Sequence, residues 1–150
     1  MLGPDYTLHV IAGARPEYYL EFYRGRISVD LSLPGIEVEG FVPDVRLAYR
    51  RAEIVLAPLT ASAGTNIKVL EAMAMGKAVV GTPAGVNGLD LKSGHDVVIA
   101  NSAAAFAEAI GTLSENPAQR TAIERNARMT AVARFDWQAI GKNAAAIYGH

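Results

Sequence analysis

The sequence predicts an α/β fold: a Rossmann-like, doubly wound parallel sheet. Two observations lead there. Short, largely apolar runs of strand length alternate with segments of helical periodicity, and glycine or proline punctuates them. Apolar strands alternating with helices imply a parallel sheet covered by helices on both faces. The chain has 150 residues, 51% of them hydrophobic, which suits one domain with its own core and argues against disorder.

Leu8 to Ala12, with His9 inside it, is an apolar run stopped by Gly13 and predicts a buried strand. Pro16 suits a first helical position, and the helix it opens runs to Tyr23. Ser28 to Gly35 is ambiguous and closes in a Pro34-Gly35 turn. Ile36 to Val42 is apolar at 36, 38 and 42 with glutamates at 37 and 39, the pattern of a strand near a sheet edge. Asp44 to Arg51 fits a short helix, and Ile54 to Ala57 a buried strand stopped by Pro58. Gly64 opens a turn into a helix near 66–75, Gly76 stops it, and a buried strand follows near 78–81. Val97 to Ile99 is another short strand. Ser102 is a good N-cap for a helix to about Leu113. Asn116-Pro117 gives a cap and a first-turn proline for a helix to about Val132, and the last helix runs from Asp136 to Tyr148. There is no internal repeat and no low-complexity linker.

Composition removes several function classes. Lysine plus arginine number 14 against 15 acids, so no global basic field favours nucleic acid as a partner. Without cysteine there is no disulfide or thiolate chemistry, which fits a reducing compartment. No apolar run approaches the ~20 residues of a membrane span. Met1 to Asp5 lacks the pattern of a signal peptide, and Gly3-Pro4-Asp5 reads as a turn within a longer protein. No His/Asp/Glu cluster has metal-ligand spacing, so no metal is expected. No P-loop or Gly-x-Ser-x-Gly motif occurs. Gly13-Ala14-Arg15 lacks the second glycine of a dinucleotide fingerprint, which argues against a dehydrogenase.

In doubly wound sheets ligands bind beyond the carboxyl ends of the strands, here the loops after Ala12, Ala57 and Gly81. The helix after Gly64 is apolar almost all round and should be buried. Only Lys68 and Glu71 interrupt it, about 60° apart at ~100° per residue. Lys68 faces the positive end of the helix dipole, where a cation costs roughly 0.3–1 kcal/mol. Gly64, Thr65 and Asn66 offer backbone N–H groups and short polar side chains, and no acid lies from Ala63 to Val69. Together these suit a phosphate at a helix start. Glu71, one turn deeper, suits hydroxyls such as those of a ribose. The competing reading is a surface ion pair between Lys68 and Glu71, three residues apart.

Asn66 to Val80 resembles the signature of the group 1 nucleotide-sugar glycosyltransferases of the GT-B fold. The flanks agree: Val38-Glu39-Gly40-Phe41-Val42-Pro43-Asp44-Val45, Ala52-Glu53-Ile54-Val55-Leu56-Ala57-Pro58 and Gly85-Val86-Asn87-Gly88-Leu89 all look like family segments. The resemblance runs from about His9 to the C-terminus. It implies the C-terminal, donor-binding half of a GT-B enzyme, covering 1–150. The family's first strand and helix, and the N-terminal acceptor domain, would lie outside this chain.

The implied activity is retaining transfer of a sugar from a nucleoside diphosphate sugar to an acceptor hydroxyl, with the isolated domain inactive. The nucleoside diphosphate sugar is substrate, and no cofactor is expected. Lys68 would face the diphosphate, Glu71 would hold the ribose, and Phe41-Val42 would offer backbone to the base. The family often shows Glu-x7-Glu. Glu71 matches the second glutamate, but Ala63 stands in place of the first, which touches the transferred sugar. The chain looks like the branch with Gly-Thr/Ile-x-x-Lys instead. Loss of that glutamate leaves open a non-catalytic nucleotide-binding or interaction domain. A receiver-like signalling domain is disfavoured, because the paired aspartates and the lysine it requires are missing.

Arg15 follows a strand and could reach a phosphate, or be a solvated surface arginine. His9 reads as a packed core residue, His95 as exposed, and His150 as terminal. Phe135 and Trp137 are expected to anchor the last helix, which in the family crosses toward the partner domain. The expected location is cytoplasmic, any membrane association being peripheral and through the missing domain.

Overall fold

A computed structural model describes residues 3–22, 30–61 and 64–148, and the chain divides into two units, Met1–Val45 and Arg46–His150. In the first unit, strand β1 (Leu8–Ile11) and helix α1 (Pro16–Phe22) lead to strand β2 (Ile36–Glu39). The strands are parallel, with Leu8 opposite Ile36 and Ile11 opposite Glu39. Gly35 turns the chain into β2 at φ +85, and its carbonyl accepts the Leu8 N–H at 2.7 Å. Tyr23, expected to end α1, and Ser28 lie outside the described residues, as do Ala63 and His150.

The expectation of a buried first strand is corrected here. Leu8 and Ile11 are 41% and 39% exposed. A parallel strand is buried only where helices cover both faces, and α1 is the only helix among this unit's described residues. His9 is not a simple core residue either: its Nε2 lies 2.9 Å from Glu39 Oε2 on the neighbouring strand.

The second unit holds helix α2 (Val45–Arg51) from Arg46 onward, strand β3 (Ile54–Ala57), helix α3 (Ile67–Ala74), strand β4 (Ala78–Gly81) and strand β5 (Val98–Ile99). Helices α4 (Ala103–Glu115), α5 (Pro117–Phe135) and α6 (Trp137–Tyr148) complete it. The sheet is parallel in the order β3-β4-β5. All four residues of central β4 are buried. Its side chains alternate between two layers. Val79 joins Val69, Ala72 and Met73 of α3 and Ala127 of α5, whereas Ala78 and Val80 join Leu113 of α4 and Ile123 of α5. That alternation is why β4 is apolar throughout, and it makes this sheet covered on both faces. Each large side chain so buried stabilises the fold by about 1.5–3 kcal/mol before entropy is counted.

The helix boundaries follow local chemistry. Ser102 caps α4 by accepting the Ala105 N–H at 3.2 Å. Asn116 caps α5 by accepting the Gln119 N–H at 3.0 Å, with Pro117 at the first position. The helix outruns its expected end at Val132, because Phe135 still packs on the core and Asp136 closes it. Asp136 then accepts the Gln138 N–H at 2.8 Å and starts α6. Trp137, expected to anchor α6, is 84% exposed and does not; Phe135 alone of that pair reaches the core. No helix among the described residues is long and apolar enough to cross a membrane.

Candidate functional site

A cleft of about 590 Å³ opens at the carboxyl end of β3. Leu56, Pro58 and Leu59 line one part of it, and Gly64, Thr65, Asn66 and Lys68 bring in the start of α3. The loop after β4 is tied to this region. Thr82 donates its N–H to the Ala57 carbonyl at 3.2 Å and its hydroxyl to the Leu59 carbonyl. The same hydroxyl accepts the Gly85 N–H at 2.9 Å. Gly85 must be glycine, since a methyl there would collide with the Ala57 carbonyl oxygen. Gly88 adopts φ +76 beside Thr65, with an added Cβ 4.0 Å from the threonine hydroxyl. The loops after β3 and β4 thus share hydrogen bonds where a doubly wound sheet places its ligands.

Helix α3 is finished differently at its two ends. Asn66 is the N-cap, yet its side chain makes no capping bond, and the first turn carries no acid. The Val69 N–H bonds the Asn66 carbonyl at 3.1 Å, which leaves the N–H groups of Ile67 and Lys68 to attract an anion. At the far end, Gly76 at φ +66 closes a Schellman motif: Gly76 N–H bonds the Met73 carbonyl at 2.9 Å and Lys77 N–H the Ala72 carbonyl at 3.0 Å. Arg128 of α5 caps the Ala74 carbonyl as well. The expectation that α3 is buried except along its polar strip is corrected at Ile67. Val69, Ala72 and Met73 are buried, but Ile67 is 67% exposed, because the start of the helix reaches past the sheet into the cleft.

Lys68 is exposed along the cleft and has no ion pair among the described residues, so the competing Lys68–Glu71 surface pair is not formed. Glu71 is half-buried and instead accepts a hydrogen bond from the Tyr49 hydroxyl at 3.0 Å. It is not among the cleft-lining residues. The same hydroxyl lies 3.3 Å from the Lys68 carbonyl, so its one proton is shared between two acceptors. Burial first, then the hydrogen bond and charge of Glu71, push the Tyr49 hydroxyl well above its ordinary range, so it remains a donor. Tyr49 was not legible in the sequence, where it lies 22 residues from Glu71 on another helix.

Arg15, Phe41 and Val42 belong to the first unit. Arg15 is exposed two residues after Gly13, Phe41 is 69% exposed and Val42 half-buried. Among the described residues no group of His, Asp, Glu or Cys could hold a metal ion.

A parallel α/β unit with a cleft at its strand ends, beside a helix start without a side-chain cap and a lysine, defines a Rossmann-like domain. More particularly, the chain belongs to the family of Glycosyl transferases group 1, whose sequence model matches residues 4–116. Among solved structures, Alr3699/HepE of Anabaena, crystallised in complex with UDP, superposes with a TM-score of 0.80 at 22% identity, over 98% of this chain and 42% of that one. Sucrose-phosphate synthase from Thermosynechococcus elongatus gives 0.70 at 22% identity, over 95% of this chain and 37% of that one. The C-terminal domain of the group 1 protein LpcC from Francisella tularensis gives 0.63 at 22% identity, over 81% and 63%. These likenesses establish the fold, one Rossmann-like half of a GT-B architecture. The chain spans 42% of the length of HepE. No curated protein sequence matches it.

Proposed function

We propose that the chain is the donor-binding domain of a glycosyltransferase that moves a sugar from a nucleoside diphosphate sugar to an acceptor hydroxyl. The observation that carries this reading is Lys68, a cation with no ion pair among the described residues, beside the start of α3 and along the strand-end cleft. Family membership supports it, as do crystals of HepE with UDP and with UDP-glucose. In this reading Gly64, Thr65, Asn66 and Lys68 hold the diphosphate, and Glu71 accepts the ribose hydroxyls. Such a site accelerates transfer by positioning the donor and stabilising charge on the departing diphosphate. The acceptor domain, and the family's first strand and helix, are supplied by the rest of a longer cytoplasmic protein, in keeping with the 42% coverage of HepE. The nucleotide sugar is consumed as substrate, and no cofactor takes part.

The test is calorimetric titration of the full-length protein with UDP, GDP and ADP and with the matching nucleosides. Lys68→Ala is expected to weaken the diphosphates at least about tenfold while barely affecting nucleosides, as loss of a charge-assisted contact would. Glu71→Ala is expected to weaken both. Absence of binding by all three diphosphates at millimolar concentration would overturn the proposal.

A further inference from the structure

We infer that Tyr49 is a positioning residue for Glu71: its hydroxyl fixes one carboxylate oxygen so that the other can meet the ribose hydroxyls of a bound nucleotide. The inference rests on the nucleotide-site reading above. The Tyr49 hydroxyl donates to Glu71 Oε2 at 3.0 Å and reaches the Lys68 carbonyl at 3.3 Å, two acceptors one helical turn apart on α3. The tyrosine ring packs against the core cluster that includes Val69 and Met73, so the hydroxyl is held in place from behind. Among the described residues the second Glu71 oxygen accepts no hydrogen bond. A free glutamate samples many rotamers and surrenders them on binding a ligand. Glu71 has surrendered much of that freedom beforehand, and preorganisation of this kind raises affinity without a new contact to the ligand. Burial, followed by the hydrogen bond and charge of Glu71, raises the Tyr49 hydroxyl above its ordinary range, so it stays a donor near neutral pH.

The two available alternatives for Tyr49 are distinguishable. A merely structural tyrosine would affect every ligand of the domain equally. A tyrosine acting through Glu71 affects only ligands that carry the hydroxyls Glu71 accepts. The experiment uses the full-length protein and whichever of UDP, GDP or ADP binds, beside its dideoxy analogue lacking both ribose hydroxyls. Tyr49→Phe keeps the ring and removes the donor. It is expected to weaken the ribonucleotide roughly three- to tenfold, the range of one ordinary hydrogen bond, and to leave the dideoxy analogue unchanged. An unchanged analogue also shows that the variant is folded. If both ligands weaken equally, or if neither changes while Glu71→Ala weakens the ribonucleotide, the positioning role is wrong and the nucleotide reading stands. If Glu71→Ala does not distinguish ribonucleotide from analogue, the assignment of Glu71 itself fails, and the role of Tyr49 with it.

Discussion

The hydroxyl of Thr130, on α5, donates a 2.7 Å hydrogen bond to the carboxylate of Asp96, in the loop before β5. Asp96 is 4% exposed, the one buried charged residue among those described. Its other oxygen accepts the Lys92 N–H at 2.9 Å, and His95 Nδ1 lies 3.0 Å from the first. One carboxylate thereby fastens the loop between β4 and β5 to the long helix behind the sheet.

Removing Thr130's donor by Thr130→Val should cost about 1 kcal/mol, the usual worth of one hydrogen bond. Asp96→Ala should cost about 3 kcal/mol, since it also strands the Lys92 N–H and the threonine hydroxyl. Urea unfolding of the two variants checks both values, and equal losses would show that Thr130 is Asp96's only important partner.

The same carboxylate makes stability depend on pH. Burial alone would raise its pKa, but the bonds from Lys92, Thr130 and His95 together outweigh burial and hold it below the ordinary value. A depressed folded-state pKa contributes stability that is present above about pH 4 and lost as pH falls through the folded value. Asp96→Asn should therefore unfold in acid with a flatter stability profile below about pH 4 than the parent. Chemical denaturation across that range measures it, and parallel profiles would sink the expectation.

Lys68 should trade stability for binding. Without ligand its charge opposes the helix dipole, so Lys68→Gln is expected to raise stability slightly, by about 0.5 kcal/mol, while weakening diphosphate binding. Thermal unfolding beside titration tests the pair of effects, and a destabilised variant would contradict the dipole argument.

Position along α3 should decide the cost of truncation. Met73→Ala removes a fully buried side chain and should cost about 3 kcal/mol, whereas Ile67→Ala should stay within about 0.5 kcal/mol. Gly85→Ala, which drives a methyl against the Ala57 carbonyl, should cost about 2 kcal/mol and disturb the cleft. Unfolding curves rank the three, and a harmless Gly85→Ala would mean that the loop can move aside.

Much of the fold is written in local chemistry, and those parts were legible. Ser102 and Asn116-Pro117 announce helix starts because capping is settled within three residues. The strand at 78–81 is plain because four consecutive buried positions leave no polar residue. Lys68 stood out because a cation at a helix start is locally unfavourable. What the sequence hid depends on partners far along the chain. The exposure of Leu8 and Ile11 is set by how few helices cover β1, and Tyr49's hydrogen bond spans 22 residues. Asp96 resembled any loop aspartate until Thr130, 34 residues on, arrived beside it. Trp137 carries a large apolar ring with no local sign that it faces solvent.

The two differently finished ends of α3 divide its sequence into two kinds of position. Residues 64–68 line the cleft and bear little of the core, so substitutions there cost the fold little. Ala72, Met73 and Gly76 sit where the Schellman closure and the Arg128 cap hold the helix, so changes there cost the fold itself. A lineage carrying this helix can explore new ligands through its first turn while its last turn stays fixed, and hydrogen exchange should register the same split as fast and slow amides within eight residues.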